Sequence, residues 1–143
     1  MKNTKKILFL IIIILFSSYS FAEESFYNKA KEKFDQKKLE DSKFLFQRNI
    51  VFNPKHAKSY LYLAKIFNLR ENDQEQEHSL NNVLLLNPKN DEALYMLTLL
   101  KIKQSDYEKA NELIDKFNLV CKNFCSKDKE MREMLKKSDS DNE

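Results

Sequence analysis

Glycine and tryptophan are both absent from this chain of 143 residues, and proline occurs only twice, as Pro54 and Pro88. Glycine supplies positive φ at tight turns and lets a backbone come close to a phosphate. Without it, neither a Walker loop nor a G-x-G-x-x-G dinucleotide loop can be written, so most nucleotide-binding folds are disfavoured. A chain so poor in breakers and so rich in Lys, Glu, Leu and Asn reads as predominantly helical. Its length allows one compact domain. Histidine is also scarce. His56 and His78 are the only two, neither has a Cys or Asp at ligand spacing, and both read as solvated. The motifs H-E-x-x-H, G-x-S-x-G and C-x-x-C do not occur. No carboxylate stands alone in an apolar stretch that would raise its pKa. Catalysis is therefore not expected, nor is a cofactor or a bound metal.

The N-terminus has the pattern of an export signal over residues 1–22. Lys2, Lys5 and Lys6 precede an unbroken apolar run from Ile7 to Phe16, and Ser20-Phe21-Ala22 fits a small-x-small cleavage site before Glu23. From Ile7 to Ala22 the stretch is shorter than the ~20 residues a spanning helix needs. Cleavage leaves a periplasmic or secreted protein with no membrane span. An uncleaved anchor is the alternative. Three of the 25 basic residues lie in this segment and none of the 22 acidic ones, so 22 of each remain in the body. A neutral body offers no electrostatic footprint for nucleic acid. The lysines between Lys29 and Lys43 alternate with Glu32, Asp35, Glu40 and Asp41, as on a solvated helix face.

Internal repetition governs the rest. Asn53-Pro54-Lys55 recurs 34 residues later as Asn87-Pro88-Lys89. The same offset aligns Phe26, Tyr60 and Leu94; Ala30, Ala64 and Thr98; and Ser42, Gln76 and Ala110. It also aligns Phe46, Leu80 and Ile114, and Phe52, Leu86 and Val120. Ile50 and Leu84 agree, while Asn118 breaks that column. Phe26, Ala30 and Phe34 lie on one helical face. Each unit therefore holds two helices, with a small residue where they approach and Pro54 or Pro88 closing the second. Such hairpins cannot bury their apolar stripes alone and must stack. Helices are predicted near 25–36, 39–52, 56–70, 73–86, 91–103 and 106–120. A seventh, near 127–137, would start at Ser126 and cap the stack with Met131, Met134 and Leu135. Residues 138–143 read as a disordered tail.

These residues resemble the tetratricopeptide repeat family over about Ser25 to Val120. The departures are specific. The family's Trp position holds Phe26, Tyr60 and Leu94. Its glycine positions hold Ala30, Ala64 and Thr98, then Lys37, Glu71 and Ser105. Lys122 stands where the third closing Pro belongs, and Lys29 where an apolar residue is usual. The resemblance implies an all-α fold, a right-handed solenoid of about three hairpins plus a C-terminal capping helix, in one domain spanning 23–137. It implies a concave groove, lined by the first helix of each hairpin, that holds a peptide or a partner helix. That face would carry Tyr27 and Lys31, then Lys58, Leu61 and Lys65, then Tyr95 and Leu99. Three ammonium groups there suit an acidic or carboxylate-bearing peptide. The carboxylate clamp of one family subset is not matched. Its places hold Tyr27, Lys31, Tyr62, Glu92 and Met96, of which only Lys31 is basic.

The functional expectation is an exported scaffold or adaptor of the cell envelope that binds a protein or peptide partner. The alternative is a redox or metal-handling role for Cys121 and Cys125. Their C-x-x-x-C spacing is neither a redox nor a haem motif. Four residues of helix rise ~6 Å, within the separation a disulfide allows, and a helix ending near Val120 eases closure. The readings are a disulfide that fastens the cap, two free buried thiols, or redox or metal chemistry.

Overall fold

The computed structural model describes residues 26–140. The segment 1–22 read as an export signal, the cleavage expected before Glu23, and residues 141–143 lie outside that range. Seven helices and no strands occur among the described residues: α1 (26–35), α2 (Leu39–Phe52), α3 (Ala57–Leu69), α4 (Asp73–Leu86), α5 (Asp91–Lys103), α6 (Tyr107–Val120) and α7 (Lys127–Ser140). None is long and apolar enough to cross a membrane. Within the span 23–137 read as one domain, the fold groups into two compact units that divide between Ser59 and Tyr60.

The 34-residue period reappears in the backbone. Lys37, Glu71 and Ser105 adopt φ of 62°, 55° and 58° in the turns after α1, α3 and α5. These are glycine positions of the repeat, filled here by residues for which the left-handed conformation costs roughly 1–2 kcal/mol. The turns hold because each also closes a six-residue hydrogen-bonded loop. The amides of Lys38, Asn72 and Asp106 donate to the carbonyls of Lys33, Phe67 and Lys101 at 2.9, 3.0 and 2.9 Å. The following helices start on side-chain caps in two of three cases. Asn72 accepts from the Glu75 amide and Asp106 from the Lys109 amide, both at 3.2 Å. Lys38, at the equivalent place before α2, makes no such cap.

The first unit is held by ring packing and hydrogen bonds among α1, α2 and the start of α3. The Ser42 hydroxyl donates to the Ala30 carbonyl at 2.9 Å, made possible by the absence of any larger side chain at Ala30. Phe46 is fully buried, and Tyr27 tilts against it with ring centroids 5.9 Å apart. Phe26 stacks on Phe52 at 5.6 Å, with the Arg48 guanidinium 4.7 Å over the Phe26 ring. His56 departs from the solvated reading. It is half-buried, meets Tyr27 edge-on at 4.8 Å, and its Nδ1 accepts the Ser59 amide at 3.2 Å. It thus does for α3 what an Asn or Asp cap does elsewhere. The sequence missed this because histidine is not a usual capping residue.

The second unit has a continuous apolar core. Ala64 from α3, Leu80 and Val83 from α4, Leu94 and Leu97 from α5, and Ile114 and Phe117 from α6 are all buried in it. From α7, Met131 and Leu135 join this core, while Met134 is 42% exposed. The helix runs three residues past the expected 137. The reason is local, because the Tyr107 hydroxyl donates to the Ser138 carbonyl at 2.8 Å and so engages the last turn.

Candidate functional site

The loop between α6 and α7 is built around one carboxylate. Asp91, at the start of α5, accepts through Oδ2 from the amides of Lys122, Asn123 and Phe124 at 2.9, 2.7 and 3.2 Å. Its Oδ1 accepts from the Glu92 amide at 3.0 Å. Burial on its own raises the Asp91 pKa. The four amides outweigh that and hold it below the ordinary carboxylate range. Cys121 and Cys125 are bonded as a disulfide across this loop, with Cα atoms 5.3 Å apart. Helix α6 ends at Val120, so the bridge closes over a turn and not within a helix.

Beyond the loop, α7 lies against α5. The Tyr95 hydroxyl donates to Glu130 Oε1 at 2.7 Å, and Lys127 Nζ donates to Glu130 Oε2 at 2.6 Å. Lys127 also sits 5.4 Å over the Tyr95 ring, and Phe124 lies 6.0 Å from it, centroid to centroid. Burial first, and then the bond to Glu130, push the Tyr95 pKa above its usual value. Tyr95 is therefore a fixed wall, not a loose anchor.

Next to this wall is a cleft of about 470 Å³. Met96 and Leu99 of α5 and Met134 of α7 give it apolar sides. Asn68 near the end of α3 and Gln76 of α4 bring amide groups, and Lys103 stands at one end. Such a combination grips an apolar side chain while offering polar partners to the backbone that carries it. Two methionines add a flexible, polarizable lining that adapts to the shape of what enters.

The residues singled out from sequence fall into both units. Tyr27, Lys31 and Lys58 belong to the first, and Leu61, Lys65, Tyr95 and Leu99 to the second. Tyr95 and Leu99 line the cleft. Leu61, at 8% exposure, is a core residue with little surface to offer a partner. The supposed basic face is largely neutralised within the chain. Lys31 pairs with Asp35 at 2.8 Å and Lys65 with Glu92 at 2.7 Å, while Lys58 is exposed; at the cleft, Lys103 pairs with Asp73 at 2.7 Å. Glu92, at one of the unmatched clamp places, carries a negative charge. Its ion pair with Lys65 is the counterpart that a single-residue reading leaves out. Sequence reasoning placed Met96 only in the unmatched clamp and Met134 only in the cap. It gave Gln76 only as a repeat-column residue and did not single out Asn68 or Lys103. Their signal is register: they fall on the ends of helices whose bounds were legible.

No protein-family model matches the chain, and no curated protein does. Solved structures do. The chain is similar to the tetratricopeptide repeat domain of Arabidopsis OM64, at 18% identity and a TM-score of 0.74, over 83% of this chain and 98% of that one. It is similar to the TPR2B domain of yeast Sti1 in its pHsp70 complex, at 18% identity and a TM-score of 0.71, over 83% and 97%. It is also similar to the Yersinia enterocolitica type III secretion chaperone SycD in complex with a peptide of the translocator YopD. There the identity is 16% and the TM-score 0.72, over 84% and 94%. The chain has the all-α solenoid fold of tetratricopeptide repeat domains.

Proposed function

We propose that this chain is an exported adaptor of the cell envelope that binds a partner protein by a peptide or helix seated in the cleft between α3, α5 and α7. One observation carries the reading. The cleft presents Met96, Leu99 and Met134 together at a surface, next to the uncharged amides of Asn68 and Gln76. The fold supports it, since SycD was solved with a translocator peptide and the TPR2B domain of Sti1 in a pHsp70 complex. The chemistry of the cleft refines the partner. Its one lining lysine, Lys103, is already paired with Asp73, so a purely acidic ligand has to displace that carboxylate to reach it. A ligand with a large apolar anchor, such as Leu, Met or Phe, needs no such exchange.

Export rests on the pattern of residues 1–22, with the processed chain beginning at Glu23. N-terminal sequencing of the native protein tests that part, and an intact Met1 in the membrane fraction supports the anchored form. For the cleft, Leu99→Glu combined with Met134→Glu abolishes partner binding and leaves helical content unchanged. Full partner affinity in that variant contradicts the proposal.

A further inference from the structure

The repeat places Gln76 in one column with Ser42 and Ala110, both small residues. The Ser42 hydroxyl donates to the Ala30 carbonyl. Gln76 is as buried as a core residue, at 3% exposure, and still lines the cleft. Other buried polar side chains bond within the chain: Asn49 Nδ2 donates to the Ser59 hydroxyl, and the Thr98 hydroxyl to the Leu94 carbonyl. The side-chain amide of Gln76 has no such partner among the described residues. Ser79, also buried without one, does not line the cleft. A buried amide is ordinarily hydrogen-bonded, so this one points to a partner from outside the chain.

The chemistry of that partner follows from the group. The Gln76 amide oxygen accepts hydrogen bonds and its nitrogen donates them. A hydrocarbon leaves both unmet, and a carboxylate offers nothing to the oxygen. Lys103, the cation on the same lining, is held by Asp73 at 2.7 Å. A helix has its peptide groups bonded to one another along its axis. In an extended segment, the N–H and C=O of one residue point to the same side and both are free, so a single carboxamide can pair with the two together. Met96, Leu99 and Met134 supply apolar walls on the same lining for a large side chain. Asn68, exposed, brings a second carboxamide to it.

We propose that Gln76 is the specificity-determining residue of the cleft, and that it selects an extended peptide segment, paired through the backbone of one residue and anchored by a large apolar side chain. The proposal rests on the cleft being the partner site, and it decides between a peptide and a helix as the occupant. The apolar walls set which side chain anchors the segment. Gln76 sets the conformation of the backbone that carries it, because only an unbonded peptide group meets both halves of its amide.

Full-length protein is panned against short random peptides displayed on phage, with the Leu99→Glu, Met134→Glu double variant as counter-selection. A peptide recovered this way is synthesised and then N-methylated at one residue at a time. At one residue the N-methyl group lowers affinity for the parent protein roughly tenfold. Gln76→Leu, which keeps a similar volume, binds the unmodified peptide roughly tenfold more weakly and no longer responds to that N-methyl group. The scan on the parent protein decides the question by itself if the variant folds poorly. A helical ligand loses affinity at several consecutive residues, since each methyl removes a bond of its own helix, and that pattern overturns the proposal. So does a scan with no sensitive residue. A peptide that needs Leu99 and Met134 yet binds Gln76→Leu as tightly as the parent also overturns it, and leaves the cleft reading standing. A library that yields no peptide sensitive to the double variant overturns the cleft reading, and this inference with it.

Discussion

Asp91 Oδ2 lies 2.7 Å from the backbone nitrogen of Asn123, 32 residues further along the chain. The same oxygen accepts the neighbouring amides of Lys122 and Phe124, so one carboxylate fixes the turn that delivers α7 to α5. Removing it leaves these three amides, and that of Glu92, without their acceptor. Asp91→Ala is expected to destabilise the protein by roughly 1–3 kcal/mol, measured by thermal or urea unfolding. A variant as stable as the parent would show that the turn does not depend on this group.

The pH dependence has a definite sign. The folded pKa of Asp91 is lowered, so its contribution is complete above the unfolded value near ~3.9 and is lost as pH falls through the folded value. The stability gap between the parent and Asp91→Asn should be constant from neutral pH down to about 5. It should close under more acidic conditions. Unfolding curves collected between neutral and acidic pH test this. A gap that persists at the most acid point would mean that the carboxylate charge is not what holds the amides.

Opening the Cys121–Cys125 bond releases a five-residue loop, worth only ~2 kcal/mol or less in the chain-entropy picture. The effect should therefore be local. Hydrogen exchange on reduced protein is expected to show lost protection in α7, with α4 nearly unchanged. Global unfolding on reduction would show that the bridge supports more than the cap.

The left-handed turn residues give a test in the opposite direction. Glu71→Gly and Ser105→Gly should each stabilise the protein by about 0.5–1 kcal/mol, since glycine adopts φ near 55–58° without a Cβ penalty. Lys38→Asn should add roughly 0.5–1 kcal/mol by supplying the cap that Asn72 supplies to α4. Elsewhere a new glycine in a helix destabilises, so a fall in melting temperature for the turn variants would contradict the assigned backbone.

Most helix boundaries were legible because the 34-residue period, the two Asn-Pro steps and the turn positions all mark the same places. The bounds of α2, α4 and α5 are those read from sequence. The glycine positions of the repeat at Lys37, Glu71 and Ser105 turned out to be the sites of positive φ, a constraint of backbone sterics that survives a change of residue. What stayed hidden depends on partners distant in sequence. Nothing near Asp91 announces that it will hold amides 31 to 33 residues away. Nothing in Lys65 announces Glu92, so the basic face looked free when Lys31 and Lys65 are paired. Leu61 and Leu99 both fit an inner-face pattern, yet packing buries the first and leaves the second lining the cleft.

The most direct test of the adaptor reading is photo-crosslinking from within the cleft. A photoreactive residue at Leu99 in the full-length protein, activated in the native cell, should give one discrete adduct with a protein partner. Met96→Glu in the same chain should remove that adduct, and the probe placed at exposed Gln47 should give none. Leu99 adducts that are absent, or that persist unchanged with Met96→Glu, would contradict the claim that the cleft is where this protein meets its partner.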